Sequence, residues 1–327
     1  MCPKCLATCP INKAFCWNTS SVENAVEKSD KILICRNAHR VDVSSLSGLY
    51  SENTLNTVNF MPPGTNTVKV NDLLGGVVLV CGYDDAGKKI VRAGSGFILD
   101  KKRGLILTAA HTLLDLKNGI PYRQKIVIGI IPDRKTELNR PHPAVFRYTA
   151  QIIGQDPLFQ EKKVCTIDAC ILKIVSKFET DVHCGQDLYK LPEVPLYKRG
   201  IKEENLSQLK LQENCEIEER VRIIGFNQGG ENIRKEGSWL FRNIGCTPGI
   251  INELPNYDFE LIQSERSPRS EIVVTCDTIS GESGGPCVND NGEVVGILSR
   301  GHGNRSYLVP ISECMKLVKE EETKIYI

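Results

Sequence analysis

The sequence carries almost no net charge. Its 327 residues include 41 Lys and Arg against 40 Asp and Glu, a formal charge of +1. Without a basic excess there is no electrostatic footprint for nucleic acid or for an anionic membrane. Long apolar runs are also missing. No stretch reaches the roughly 20 residues that span a bilayer, and Met1-Cys2-Pro3-Lys4-Cys5 begins without the apolar core of a secretory signal. Internal repeats and low-complexity tracts are absent too, so no repeat architecture is expected.

What is present is ordinary for a soluble globular chain, with 41% hydrophobic and 25% charged residues. The length allows two or three compact units. Cysteine is the exception, at 14 residues. Small secreted domains use such numbers for disulfides, but this chain is large and lacks a signal. Cys81, Cys170, Cys276 and Cys287 stand in apolar runs, where a free thiol behaves as a small hydrophobe. A reducing, cytoplasmic compartment is therefore expected. Asn18, Asn205 and Asn304 each open an Asn-x-Ser/Thr sequon, a pattern that often arises by chance.

Residues 1–60 are rich in Cys, Asn and Ser and poor in apolar runs. Met61-Pro62-Pro63-Gly64-Thr65-Asn66-Thr67 reads as part of a linker over 61–74. From residue 75 short Val- and Ile-rich runs alternate with turn residues. They include 76–81, 95–99, 105–108, 125–131, 150–153, 169–175, 220–225, 239–244, 259–263, 271–276, 294–298 and 307–309. That pattern predicts an all-β barrel or sandwich. Asn289-Asp290-Asn291-Gly292 predicts a type I′ hairpin, since Asn-Gly tolerates positive φ. The charged stretch 185–215, with Leu206 and Leu209 three apart, is expected to be a partly helical connection. Ile311, Met315 and Val318 predict a terminal helix over 311–322, with Ser312 as N-cap.

Three segments carry chemistry. In the first, Gly94-Ser95-Gly96-Phe97-Ile98-Leu99 leads through Gly104 to Thr108-Ala109-Ala110-His111. A neutral imidazole at the end of a small-residue turn is suited to accept a proton from a hydroxyl. In the second, Asp168 opens the apolar run Ala169-Cys170-Ile171-Leu172. A carboxylate there needs a partner, and an imidazole N–H would be one. Asp156, in Gln155-Asp156-Pro157, competes for that role, although Asp-Pro reads as a turn. The third is Gly281-Glu282-Ser283-Gly284-Gly285-Pro286. Glycines beside a serine admit substrate, and the N–H groups of Gly281 and Ser283 are natural donors to an oxyanion.

Together these segments resemble the chymotrypsin-like serine proteases, in motif and in the order His, Asp, Ser. The resemblance covers about residues 75 to 312, and Gly96-Phe97-Ile98-Leu99 with Val294-Val295-Gly296-Ile297 is most similar to the HtrA-like branch. It implies an all-β fold of two six-stranded antiparallel barrels, about 75–184 and 216–312, joined by 185–215 and followed by the terminal helix. It implies a serine endopeptidase acting on polypeptides through an acyl-enzyme, with His111, Asp168 and Ser283 as triad and no catalytic cofactor. Ser299, Arg300 and Gly301 resemble the strand that pairs with substrate backbone. Asp277, six before Ser283, stands where the trypsin branch selects Lys or Arg, although a branch that cleaves after acidic residues carries the same Asp-Thr pair.

Departures from the family are informative. Thr112 and Ile279 stand where the secreted branch has cysteines. Leu74-Gly75-Gly76-Val77 only weakly echoes an activation start, and Glu282 replaces the Asp that binds the new N-terminus. Zymogen activation of that kind is therefore not expected. No PDZ-sized segment follows residue 312, so the resemblance stops short of the full HtrA architecture. The competing reading is a barrel that binds peptides without cutting them, opposed by the filled triad. An esterase of another fold fits less well, because Ser283 comes after His111 and Asp168.

The N-terminal segment adds Cys2-Pro3-Lys4-Cys5 and Cys35-Arg36-Asn37-Ala38-His39. These C-x2-C and C-x3-H pairs have the spacing of a structural Cys3His zinc site in a zinc-ribbon-like module. Cys9 and Cys16 are alternative ligands. So polar a segment has little apolar material to fold on, which favours a metal. Its expected role is structural or docking to a protein partner.

Overall fold

Val- and Ile-rich runs close into barrels when both faces of the sheet find apolar cover. In a computed structural model this holds for the described strands of the chain's second part. The structure describes residues 32–34, 40–42, 70–83, 90–115, 120–121, 125–130, 141–143, 145–157, 166–182, 190–196, 201, 206–227, 241–255 and 270–324.

Met1–Thr67 and Val68–Ile327 form separate compact units. In the first, Ile32–Ile34 pairs antiparallel with Arg40–Asp42. The expected zinc ligands Cys2, Cys5, Cys35 and His39, and the alternatives Cys9 and Cys16, lie outside the described residues.

The second unit contains twelve principal strands. The first six are β1 (Val77–Tyr83), β2 (Ile90–Asp100), β3 (Leu105–Thr108), β4 (Lys125–Ile130), β5 (Val145–Gln155) and β6 (Cys170–Val182). They pair antiparallel in the ring β1-β2-β3-β6-β5-β4 and back to β1. The second six are β7 (Arg220–Asn227), β8 (Phe241–Glu253), β9 (Ile272–Thr275), β10 (Pro286–Asn289), β11 (Glu293–His302) and β12 (Arg305–Pro310). Their ring is β7-β8-β9-β12-β11-β10 and back to β7. The two orders are the same, so the fold contains a duplication with no repeat in the sequence. Barrels need only inward and outward apolar positions, which many sequences supply.

Every residue of β1 is buried. Val77, Leu79, Cys81 and Tyr83 join one apolar cluster, and Val78 and Val80 another. The first cluster runs on through Ile224, Phe226, Ile244 and Ile297 of the second barrel to Ile311, Cys314, Leu317 and Val318 of the terminal helix. That helix, α1 (Ile311–Lys324), packs on β5 and β6 as well as on β11 and β12. It begins at Ile311, directly after β12, so Ser312 lies inside its first turn and is not the expected cap.

Two other local expectations need correction. In the described part of 185–215 Lys190 alone is helical, in 3-10 conformation; the stretch pairs as Glu193–Pro195 with β6 and as Lys210–Leu211 with β11. Leu206 and Leu209 are both buried, but on an extended strap. Ser207 N donates to Gly75 O at 3.0 Å and Leu209 N to Ile98 O at 3.3 Å. The turn after Asn289 has positive φ at Gly292 alone, not at Asn291. Asn289 Oδ1 accepts from the N–H groups of Asn291 and Glu293 at 3.0 Å each. That side-chain bonding supports a three-residue loop ending in a left-handed glycine, which replaces the two-residue turn.

Candidate active site

The strand register brings the first two candidate residues together. Thr108, the last residue of β3, pairs with Cys170, the first of β6. His111 lies three residues beyond Thr108 in a short 3-10 turn, Ala110–Thr112. Asp168 lies two residues before Cys170, at the same end of the sheet. Its Oδ1 accepts from His111 N at 2.9 Å, and its Oδ2 meets His111 Nδ1 at 2.9 Å. Asp168 is 1% exposed and the His111 side chain 33%. With Nδ1–H bonded to the carboxylate, Nε2 is left as the proton acceptor.

Ser283 occupies the turn between β9 and β10. Gly94 and Ser95 of β2 sit beside the end of β3, because Gly96 pairs with Thr108. Ser95 N donates to Ser283 O at 2.7 Å. A Cβ on Gly94 would lie 2.8 Å from Thr112, next to His111, and 3.0 Å from Ser283 O. The serine turn and the histidine turn thus meet over one glycine. Gly284 has φ +84, and a Cβ there would stand 2.2 Å from Ser95 O. No other residue type fits that backbone and that contact.

The backbone of the turn is largely bonded. Glu282 N, Gly284 N and Gly285 N donate to Ile279 O, Leu298 O and Glu282 O at 3.1, 2.7 and 2.8 Å. Among the described residues, the N–H groups of Gly281 and Ser283 donate to none. Two unbonded amides flanking one residue can serve an oxygen that gains negative charge.

Other residues singled out in the sequence fall in different places. Ser299, expected along the substrate strand, turns its Oγ onto Asp168 Oδ2 at 2.5 Å, from the other barrel. Arg300 is paired with Glu271 at 2.6 Å and lies 4.4 Å from the centre of the Tyr307 ring. Gly301 is exposed; a Cβ on it would lie 2.5 Å from Thr278 Oγ1, which bonds Ser306 Oγ at 2.9 Å. Asp277 is half-buried beside that pair. Asp156 is 3% exposed and accepts from Thr166 N, Thr166 Oγ1 and Ile167 N at 2.7, 2.6 and 2.9 Å. It organises the approach to Asp168 and does not bond His111.

Two residues escaped the sequence reading. Ser95 is fully buried; its Oγ accepts from Phe226 N at 2.7 Å and donates to Gly281 O at 2.9 Å. Asn227, 3% exposed, donates from Nδ2 to Glu282 Oε1 at 3.2 Å. Ser95 opens the apolar run 95–99, and no local spacing ties its hydroxyl to residue 226. Asn227 gave no signal beyond ending an apolar run.

Residues 94–297 match the trypsin-like peptidase domain. Among solved structures the chain is similar to the serine endoprotease from Yersinia pestis, at 18% identity and a TM-score of 0.47, over 80% of this chain and 68% of that one. It is also similar to the inactive form of a serine-to-alanine mutant from M. tuberculosis H37Rv, at 15% identity and a TM-score of 0.45, over 78% and 90% of the two chains. No match was found among curated proteins. The domain match takes in the His111 turn, Asp168, the Ser283 turn and strands of both barrels, more than half of the sequence, and the chain therefore belongs to the trypsin-like peptidase family.

Proposed function

We propose that this chain is a serine endopeptidase, with Ser283 as nucleophile, His111 as general base and Asp168 as the residue that orients it. The observation that carries the reading is the two-point hold of Asp168 on His111, through the backbone N–H and Nδ1. A buried carboxylate in that position fixes the tautomer and stabilises the imidazolium. Ser283 Oγ gives its proton to His111 Nε2 as it bonds the substrate carbonyl carbon. The oxyanion is received by the N–H groups of Gly281 and Ser283. The imidazolium then protonates the leaving amine as the C–N bond breaks, and water repeats the sequence to release the acid. Polypeptide substrate lies extended along Ser299–Gly301. The free thiols at Cys170, Cys215, Cys246, Cys276, Cys287 and Cys314, among the described residues, support work in a reducing compartment. Burial raises the pKa values of these six thiols.

A fluorophosphonate probe tests the reading. The wild type should be labelled covalently at Ser283. Ser283→Ala should lose labelling and at least about 1,000-fold in peptide hydrolysis, with its thermal unfolding unchanged. Labelling that persists in the variant overturns the assignment.

A further inference from the structure

Glu282, between the two unbonded amides, is 0% exposed. Its side chain enters a slot in the second barrel. Gly225 of β7 and Gly245 of β8 face each other across the sheet, and Glu282 lies against both. A Cβ on Gly225 would stand 3.0 Å from Glu282 Cα and Cβ, and one on Gly245 would stand 2.5 Å from Oε1. Two bonds close the slot: Ile279 N donates to Oε2 at 2.9 Å, and Asn227 Nδ2 to Oε1 at 3.2 Å. Among the described residues no cation pairs with this carboxyl. The titratable groups that act on it are Asp277, Cys246 and Cys276, none of them cationic.

Glu282 is also fixed at both backbone ends. Its N–H bonds Ile279 O, and its carbonyl accepts from Gly285 N. The peptide that carries the Ser283 N–H is therefore held on one side by the Gly285 bond and on the other by Glu282 Cα, which the slotted side chain anchors. The side chain stays because both oxygens have donors; without Asn227, buried Oε1 would lose the donor that bonds it. An unsatisfied buried acceptor is costly enough to drive rearrangement.

We propose that Asn227 is a positioning residue for the reaction, which acts through Glu282 to hold the Gly281 and Ser283 N–H groups where the oxyanion forms. A neutral amide on β7 thus serves where a charged partner would otherwise be needed, and the turn is built ready to work. This inference rests on the peptidase reading.

The test compares the full-length wild type with Asn227→Leu and Asn227→Asp. In Asn227→Leu, which removes the donor at similar volume, kcat should fall about 10-fold or more, since removal of a direct oxyanion donor costs about 100- to 1,000-fold. KM should change less than about twofold, and affinity for a peptidyl boronic acid should fall in step with kcat/KM. Should that variant not fold, by circular dichroism, Asn227→Asp decides. Its new carboxyl can bond Glu282 only by sharing a proton. The ratio of its kcat to that of the wild type should therefore rise as pH falls from about 8 to 6. A loss confined to KM, an unchanged kcat, or a ratio independent of pH overturns the latch and leaves the peptidase reading intact. A wild type that is not labelled at Ser283 removes both.

Discussion

A carboxyl group enclosed like that of Glu282 resists ionisation. Burial pushes its pKa up from 4.5 to about 7, the bonds from Ile279 N and Asn227 pull it down, and Asp277 adds to the rise. Below pH 4.5 the group is protonated whether the chain is folded or not. Between 4.5 and about 7 the folded chain keeps a proton that the unfolded chain has lost, so this group's stabilising contribution declines as pH rises through that window. Above about 7 the decline stops. The full swing corresponds to about 3 kcal/mol. Glu282→Gln should remove it: denaturant unfolding of wild type and variant at several pH values should give curves that diverge between pH 4.5 and 7. Parallel curves would show that the carboxyl ionises freely in the fold. At this scale the sequence disclosed the residues proposed to react but not the buried groups bonded around them. His111, Asp168 and Ser283 are conspicuous because each stands in a short motif with its own neighbours. Ser95 and Asn227 work on partners 131 and 55 positions away, where no local pattern reaches.

Strands were legible where apolar runs met turn residues, as at β1, β3 and β7. The failures were local bonding choices. Leu206 and Leu209 have the spacing of a helix, yet backbone bonds to Gly75 and Ile98 hold that strap extended. Asn289 captures its own turn by side-chain bonds, which the Asn-Gly pair alone does not reveal. Between elements, Ser95 of β2 makes three bonds to two pieces: to β7 through Phe226 N, and to the serine turn through Gly281 O and through its own N–H to Ser283 O. Ser95→Ala would strand a buried donor and a buried acceptor. It should lower unfolding free energy by about 1–3 kcal/mol for each group left without a partner. Chemical denaturation measures this, and an unchanged midpoint would mean that water or a shifted strand replaces the hydroxyl.

On the scale of the molecule, the Cys-rich segment belongs to Met1–Thr67, a unit compact apart from Val68–Ile327. Among the described residues no cluster of three or more His, Cys, Asp and Glu is placed to hold a metal ion. We propose one structural zinc on Cys2, Cys5, Cys35 and His39, in that separate unit. Elemental analysis of the full chain, purified without added metal, should find about one equivalent. Cys35→Ser should lose it while fluorophosphonate labelling of Ser283 continues; a metal-free wild type refutes the site. The barrels have a consequence in time as well. His111 and Asp168 belong to the first barrel and Ser283 to the second, while α1, later in sequence than all three, packs on strands of both. On the proposed roles, a nascent chain translated up to β9 holds a base and no nucleophile. If the chain cuts as proposed, synthesis itself postpones cutting until both halves can dock.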